Sequence, residues 1–155
     1  MFGKVRNCSR SVFLCSTLGI VFAAPASGLG QSKAMSPCLA YEPSLIKLSG
    51  NLTRKVYPGP PNYESTQKGD RPEAGWYLDL DKAICVDEDK ADPQLNPAHT
   101  DLRTIQLVVS PELYRKYRSM VGKHVIAVGT LFGEHTAHHH TPVLLTISEF
   151  VELKQ

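Results

Sequence analysis

Between Leu45 and Ile147 the chain repeatedly alternates apolar and polar positions, with a period of two. Ile46, Leu48, Gly50 and Leu52 alternate with Lys47, Ser49, Asn51 and Thr53, which predicts a half-buried strand over 45–56. Trp76, Leu78 and Leu80 alternate with Tyr77, Asp79 and Asp81 and predict a second strand, extended to Ile84–Val86 after a bend. Ile105, Leu107 and Val109 share one face of a third, over 104–109. Two apolar runs, Val125–Phe132 and Val143–Ile147, predict a closing hairpin around a polar connection. One helix interrupts this pattern. Ser110-Pro111-Glu112 supplies an N-cap hydroxyl, a proline at the first helical position and an acid in the first turn. Leu113, Tyr117 and Met120 or Val121 form its apolar stripe, and Gly122 closes it.

Three strands, a short helix and two strands predict a mainly β fold, a small OB-like Greek-key barrel of about five strands with the helix between strands 3 and 4. A sandwich and an open α+β sheet are the alternatives. Gly50 and Gly129 fall inside strands 1 and 4, where glycine marks the bulge or sharp bend that a small barrel needs.

The N-terminus bears on compartment. Lys4, Arg6 and Arg10 precede an apolar stretch from about Val12 to Ala24, and Ala24-Pro25-Ala26 fits a small-x-small cleavage site. Residues 1–26 are therefore expected to be a secretory signal peptide, followed by a flexible leader over 27–37 and one domain over 38–155. A retained anchor is the alternative. A lipoprotein anchor at Cys15 is rejected, because Phe13-Leu14 precede it in place of small residues. The expected location is periplasmic or secreted. The full chain carries 17 basic and 15 acidic residues, net +2. Three basic and no acidic residues lie in the first 26, so the remainder has 14 basic against 15 acidic, net −1. That balance argues against nucleic acid, whose phosphates need clustered positive charge. Cys38 and Cys85 are the cysteines left after cleavage, and an oxidising compartment predicts their disulfide.

Candidate chemistry concentrates in two places. Glu134-His135-Thr136-Ala137-His138-His139-His140 holds four of the six histidines at one hairpin end. Depending on where the hairpin turns, His135, His138 and His140 could converge as a three-nitrogen site for zinc or copper, with Glu134 or water completing it. The alternative is a polar loop whose imidazoles are tied structurally. Separately, Tyr57, Tyr63 and Arg71 in the proline-rich connection, with Tyr77 and Asp79 on the outward face of strand 2, could form a recognition surface for a protein or envelope ligand. They could equally cap the core. Asp87, Glu88, Asp89 and Asp92 lack the spacing and turn glycine of an EF-hand. The chain contains no G-x-S-x-G, H-E-x-x-H, P-loop or G-x-G-x-x-G, so no enzyme class is expected.

The stretches Tyr57-Pro58-Gly59-Pro60-Pro61-Asn62-Tyr63-Glu64-Ser65, Gly75-Trp76-Tyr77-Leu78, Gly129-Thr130-Leu131-Phe132 and His138-His139-His140-Thr141-Pro142-Val143-Leu144-Leu145 resemble a bacterial family of small exported proteins, the domain-of-unknown-function family numbered 4431. The resemblance spans about Cys38 to Phe150. It implies an exported bacterial domain and supplies no activity, ligand or site residue. The sequence therefore supports two functional expectations. The leading one is a non-enzymatic binding module. The other is a transition-metal-binding protein.

Overall fold

The computed structural model describes residues 38–153. The expected signal peptide and leader lie outside those residues. Five strands, β1 (Leu45–Pro58), β2 (Pro72–Val86), β3 (His99–Val108), β4 (His124–Gly133) and β5 (Val143–Glu152), form one mixed sheet. One short α-helix, α1 (Pro111–Tyr117), lies between β3 and β4. The pairing order is β1-β2-β3-β5-β4, and β4 returns to β1, so the sheet closes on itself. All neighbours are antiparallel except β3 and β5, which meet in parallel over Gln106–Val108 and Leu144–Thr146.

Closure explains why the strands outrun their hydrophobic patterns. β1 pairs with β4 through Leu45–Asn51 and with β2 through Gly50–Pro58, so one strand bends to serve two partners. β2 begins at Pro72, ahead of the apolar alternation, because Pro72–Gly75 pair with Lys55–Pro58 in hairpin arms that extend past the core. β3 likewise begins at His99, and β5 continues to Glu152. At Gly129 the β4–β5 register shifts, and a side chain there would strike the Thr146 carbonyl. At Gly50 one would strike the Asp79 carbonyl. Both interior glycines thus permit close backbone approach, and at Gly129 the register shift is the irregularity its position in the strand predicted.

Leu48, Leu52, Leu78, Ile105, Val125, Leu131 and Leu145 fill the interior, with Trp76, Tyr117 and Phe150 packed in the same core. The helix is capped as its sequence dictates: Ser110 Oγ accepts from Leu113 N at 3.3 Å. It runs into a 3₁₀ turn over Arg118–Met120, and Gly122, at φ +88°, turns the chain toward β4. Cys38 and Cys85 are joined by a disulfide. It fastens the start of the described chain to the end of β2, beside the Leu39–Val86 bridge. Among the described residues no helix is long and apolar enough to cross a membrane.

Candidate functional site

The outer face of the sheet is assembled by register. Thr53, Lys55 and Tyr57 of β1 stand opposite Tyr77, Gly75 and Glu73 of β2. Tyr77 and Asp79 stand opposite Gln106 and Thr104 of β3. Gln106 then neighbours Leu144 of β5, which faces Phe132 of β4. Period-two geometry puts this whole set on one face. Yet Tyr77 and Leu144 are fully buried, and neither belongs to the interior core. Something covers the outer face.

The cover comes from the connection between β4 and β5. Gln106 pins it through both ends of its side-chain amide: Nε2 donates to the His138 carbonyl at 2.9 Å, and Oε1 accepts from His140 N at 2.6 Å. Thr141, itself buried, accepts from Gln106 N and donates to the Val143 carbonyl. These bonds fix the backbone of 138–141 over β3. His140 then lies flat on Tyr57, with ring centroids 4.2 Å apart and planes within 8°. Tyr57 in turn leans on Tyr77 at 5.5 Å. The absent side chain at Gly75 leaves the room that the Tyr77 ring occupies.

The connection between β1 and β2 reaches the same place. Asp70 is buried, and its carboxylate accepts from the backbone N–H groups of Asn62, Glu64 and Ser65, each at 2.8 Å. Those bonds hold its carboxyl below the usual carboxylate range. They also hold Tyr63 between them at φ 58°, a left-handed conformation that a bulky residue rarely adopts. Tyr63 OH consequently meets His138 Nε2 at 3.2 Å, while His138 Nδ1 meets Glu73 Oε2 at 2.8 Å. The tyrosine surface and the histidine loop, read separately from sequence, form one cluster.

Several expectations are corrected by this geometry. His135, His138 and His140 do not converge. His138 engages Glu73 and Tyr63, His140 stacks on Tyr57, and His135 faces His139 edge-on at 4.6 Å. The reason is that Gln106 clamps the backbone on both sides of His139 and splays the neighbouring rings. Among the described residues no group of three or more histidine, cysteine or acidic side chains could hold a metal ion, the acidic loop included. Tyr77 lies on the outward face, as its alternation requires, but its burial removes it from direct contact with anything outside. Asp79 is occupied internally: Lys55 Nζ, Thr104 Oγ1 and Thr53 Oγ1 donate to it at 2.7, 2.8 and 3.0 Å. Partial burial pushes its carboxyl up, but those three donors outweigh burial and hold it low. Tyr57 and Tyr63 are half-buried, and Arg71 is exposed. Gln106 and Glu73 escaped the sequence reading. Neither sits in a recognisable motif, and only the register across three strands reveals them.

Two buried side-chain polar atoms among the described residues lack a hydrogen-bond partner: Tyr77 OH and His140 Nε2. Both belong to rings that touch Tyr57. Burial drives the Tyr77 phenol well above its ordinary value, with Tyr57 and Glu73 adding to the effect. Unmet buried polar groups are rare in folded proteins, and two in one cluster mark it apart from the interior.

A second polar group stands elsewhere. Ser49, Asp81 and His124 line or adjoin a cleft of about 400 Å³ between β1 and β2. Ser49 Oγ donates directly to Asp81, and His124 Nε2 approaches both Asp81 oxygens at 2.8–2.9 Å. In a nucleophilic triad the imidazole stands between hydroxyl and carboxylate, with one ring nitrogen for each. Here the same nitrogen faces both, which is not the triad arrangement, and the trio ties β1, β2 and β4 together.

Residues 104–151 match DUF4431, a domain of unknown function. The DUF4431 match begins within β3 and continues through α1, β4, the histidine loop and β5 to Val151. It bears out the family suggested by Gly129–Phe132 and His138–Leu145, while the Tyr57–Ser65 and Gly75–Leu78 stretches precede it. Gln106, His138 and His140 thus fall inside the DUF4431 segment, and their partners Tyr57, Tyr63 and Glu73 fall outside it. No curated protein matches the chain.

Proposed function

We propose that the protein is an exported, non-enzymatic binding module built on an OB-like Greek-key barrel, and that it recognises a protein or envelope ligand. The strand order with its single parallel β3–β5 contact, and the helix between β3 and β4, support the barrel assignment. OB barrels bind on the face around strands 2 and 3 and on the loops joining strands 1–2 and 4–5. The observation that carries the reading is that those two loops meet here over that face, in the Tyr57–Tyr63–His138–His140 cluster. Export is supported by the N-terminal pattern, and the Cys38–Cys85 disulfide fits an oxidising periplasmic or secreted setting. The net charge of −1 without the first 26 residues argues for a partner other than nucleic acid.

Co-sedimentation of the purified protein with bacterial envelope fractions tests the reading. Retention by the envelope that falls at least tenfold in a Tyr57→Ala, Tyr63→Ala variant supports it. Retention that the double variant leaves unchanged moves binding to another surface and refutes the assignment.

A further inference from the structure

We infer that His140 is a self-ligand, a loop ring seated where the true ligand binds, and that this ligand is a neutral sugar ring of a glycan. This rests on the binding-face reading above and names its ligand class.

The stacking geometry comes first. Tyr57 presents a ring face, and the flat imidazole at 4.2 Å occupies the position of any flat, weakly polar group that would lie on it. His140 gains little else from being there: its Nε2 is buried without a partner. On the neighbouring Tyr77, which also touches Tyr57, the hydroxyl is likewise unpartnered. A closed loop that leaves two polar atoms unmet is closed at a cost, so displacing it is correspondingly easy. When His140 swings out, its nitrogen returns to water, and the Tyr57 face and Tyr77 hydroxyl open together. The bonds from Gln106 to the backbone at 138 and 140, and from His138 to Glu73 and Tyr63, hold the rest of the loop without involving either unmet atom.

The polar groups around the stack then select the ligand. Glu73 supplies a carboxylate that shares its acceptor capacity with His138 Nδ1, Tyr63 a hydroxyl that meets His138 Nε2, and Tyr77 an unpartnered hydroxyl. The nearby cation, Lys55, is neutralised by Asp79. An anionic polymer would meet the Glu73 carboxylate as a like charge. An aromatic or aliphatic peptide side chain would fill the place of the imidazole but leave the Tyr77 hydroxyl still unmet. A pyranose answers both demands, since its C–H face stacks on a tyrosine ring while its equatorial hydroxyls donate to carboxylate and accept from phenol.

The test titrates the full chain with a β-1,4-linked tetramer of N-acetylglucosamine, followed by calorimetry and by tyrosine ring signals in NMR. The expected result is saturable binding that His140→Ala tightens at least fivefold and Tyr57→Ala abolishes. A ligand-free readout accompanies it. Ultraviolet titration of the phenols in His140→Ala should bring one tyrosine down toward the ordinary range, because Tyr57 is freed to move off Tyr77 and open it to water. Weaker sugar binding in His140→Ala would make His140 part of the receptor and overturn the self-ligand. Envelope retention that depends on Tyr57 but comes with no tetramer binding would overturn the sugar class while leaving the binding face intact. Loss of envelope retention altogether would instead remove the reading on which both rest.

Discussion

Two buried tyrosines of this protein sit on opposite sides of one question. Tyr41 packs in the interior core, and its hydroxyl donates to the Pro97 carbonyl at 2.7 Å. Tyr77 is buried still more deeply, against Tyr57 on the outer face, and its hydroxyl donates to nothing. Both phenols are raised by burial. The interior thus completes its hydrogen bonds, whereas the covered outer patch leaves two of them open. Burial alone does not distinguish core from site. Satisfaction of the polar atoms does, because an unmet buried donor costs stability that a purely structural position has no reason to carry.

The interior is where the largest losses are expected. Replacing Cys38 and Cys85 together by serine releases a closed loop with a sequence separation of 47. Chain entropy sets the loss at about 4 kcal/mol, an upper value for this mechanism, read as a lower urea midpoint. Leu131→Ala removes a fully buried side chain and should cost about 3 kcal/mol in the same measurement. Neither variant should alter the Tyr57–His140 stack if the protein remains folded, so NMR ring shifts at His140 should persist. Altered shifts would mean that the outer cluster depends on the interior more closely than its separate packing implies.

Much of this division was legible in the sequence, and the rest was not for identifiable reasons. The alternation in Leu45–Leu52, Trp76–Leu80 and Ile105–Val109 predicted strands because interior and exterior positions must alternate. Ser110-Pro111 marked the helix start through local cap chemistry. Tyr77 was correctly assigned to the outward face, but its burial depends on Tyr57 and Lys55 of another strand, which periodicity cannot report. Whether the histidines converge or splay was not legible, because spacing within a loop does not fix where rings point. Gln106, whose amide sets that direction, carries no motif. Asp70 was equally silent, since an acid followed by Arg71-Pro72 reads as an ordinary turn until its carboxylate is seen to gather three backbone N–H groups.

Smaller effects sharpen the outer side of the comparison. Asp70→Ala should release the 62–65 turn and free Tyr63 from His138, lowering envelope retention more than it lowers the melting temperature. Retention equal to wild type would show that Tyr63 does not need its strained backbone to act. The pH dependence of the loop should be smaller still. Burial first, and then the neighbouring His135, lower the His139 imidazole, with Glu134 opposing and His138 and His140 reinforcing the shift. The unfolded histidine titrates near the ordinary value of about 6.5. Below that pH the unfolded chain binds more protons at this position than the folded one, so folded stability falls as pH drops toward the lowered value. Above it the term vanishes. His139→Gln should flatten that part of the stability profile, and an unchanged slope would place its origin in another group.

The most direct measurement is a paired urea denaturation of Tyr41→Phe and Tyr77→Phe. Removing the Tyr41 hydroxyl should cost about 1 kcal/mol, since it breaks a made hydrogen bond. Removing the Tyr77 hydroxyl should cost nothing or stabilise the fold, by up to about 1 kcal/mol, because it relieves an unmet one. Opposite signs are the predicted result. Equal destabilisation would mean that Tyr77 is tied like Tyr41, and the outer patch would then be a second piece of core and no binding site.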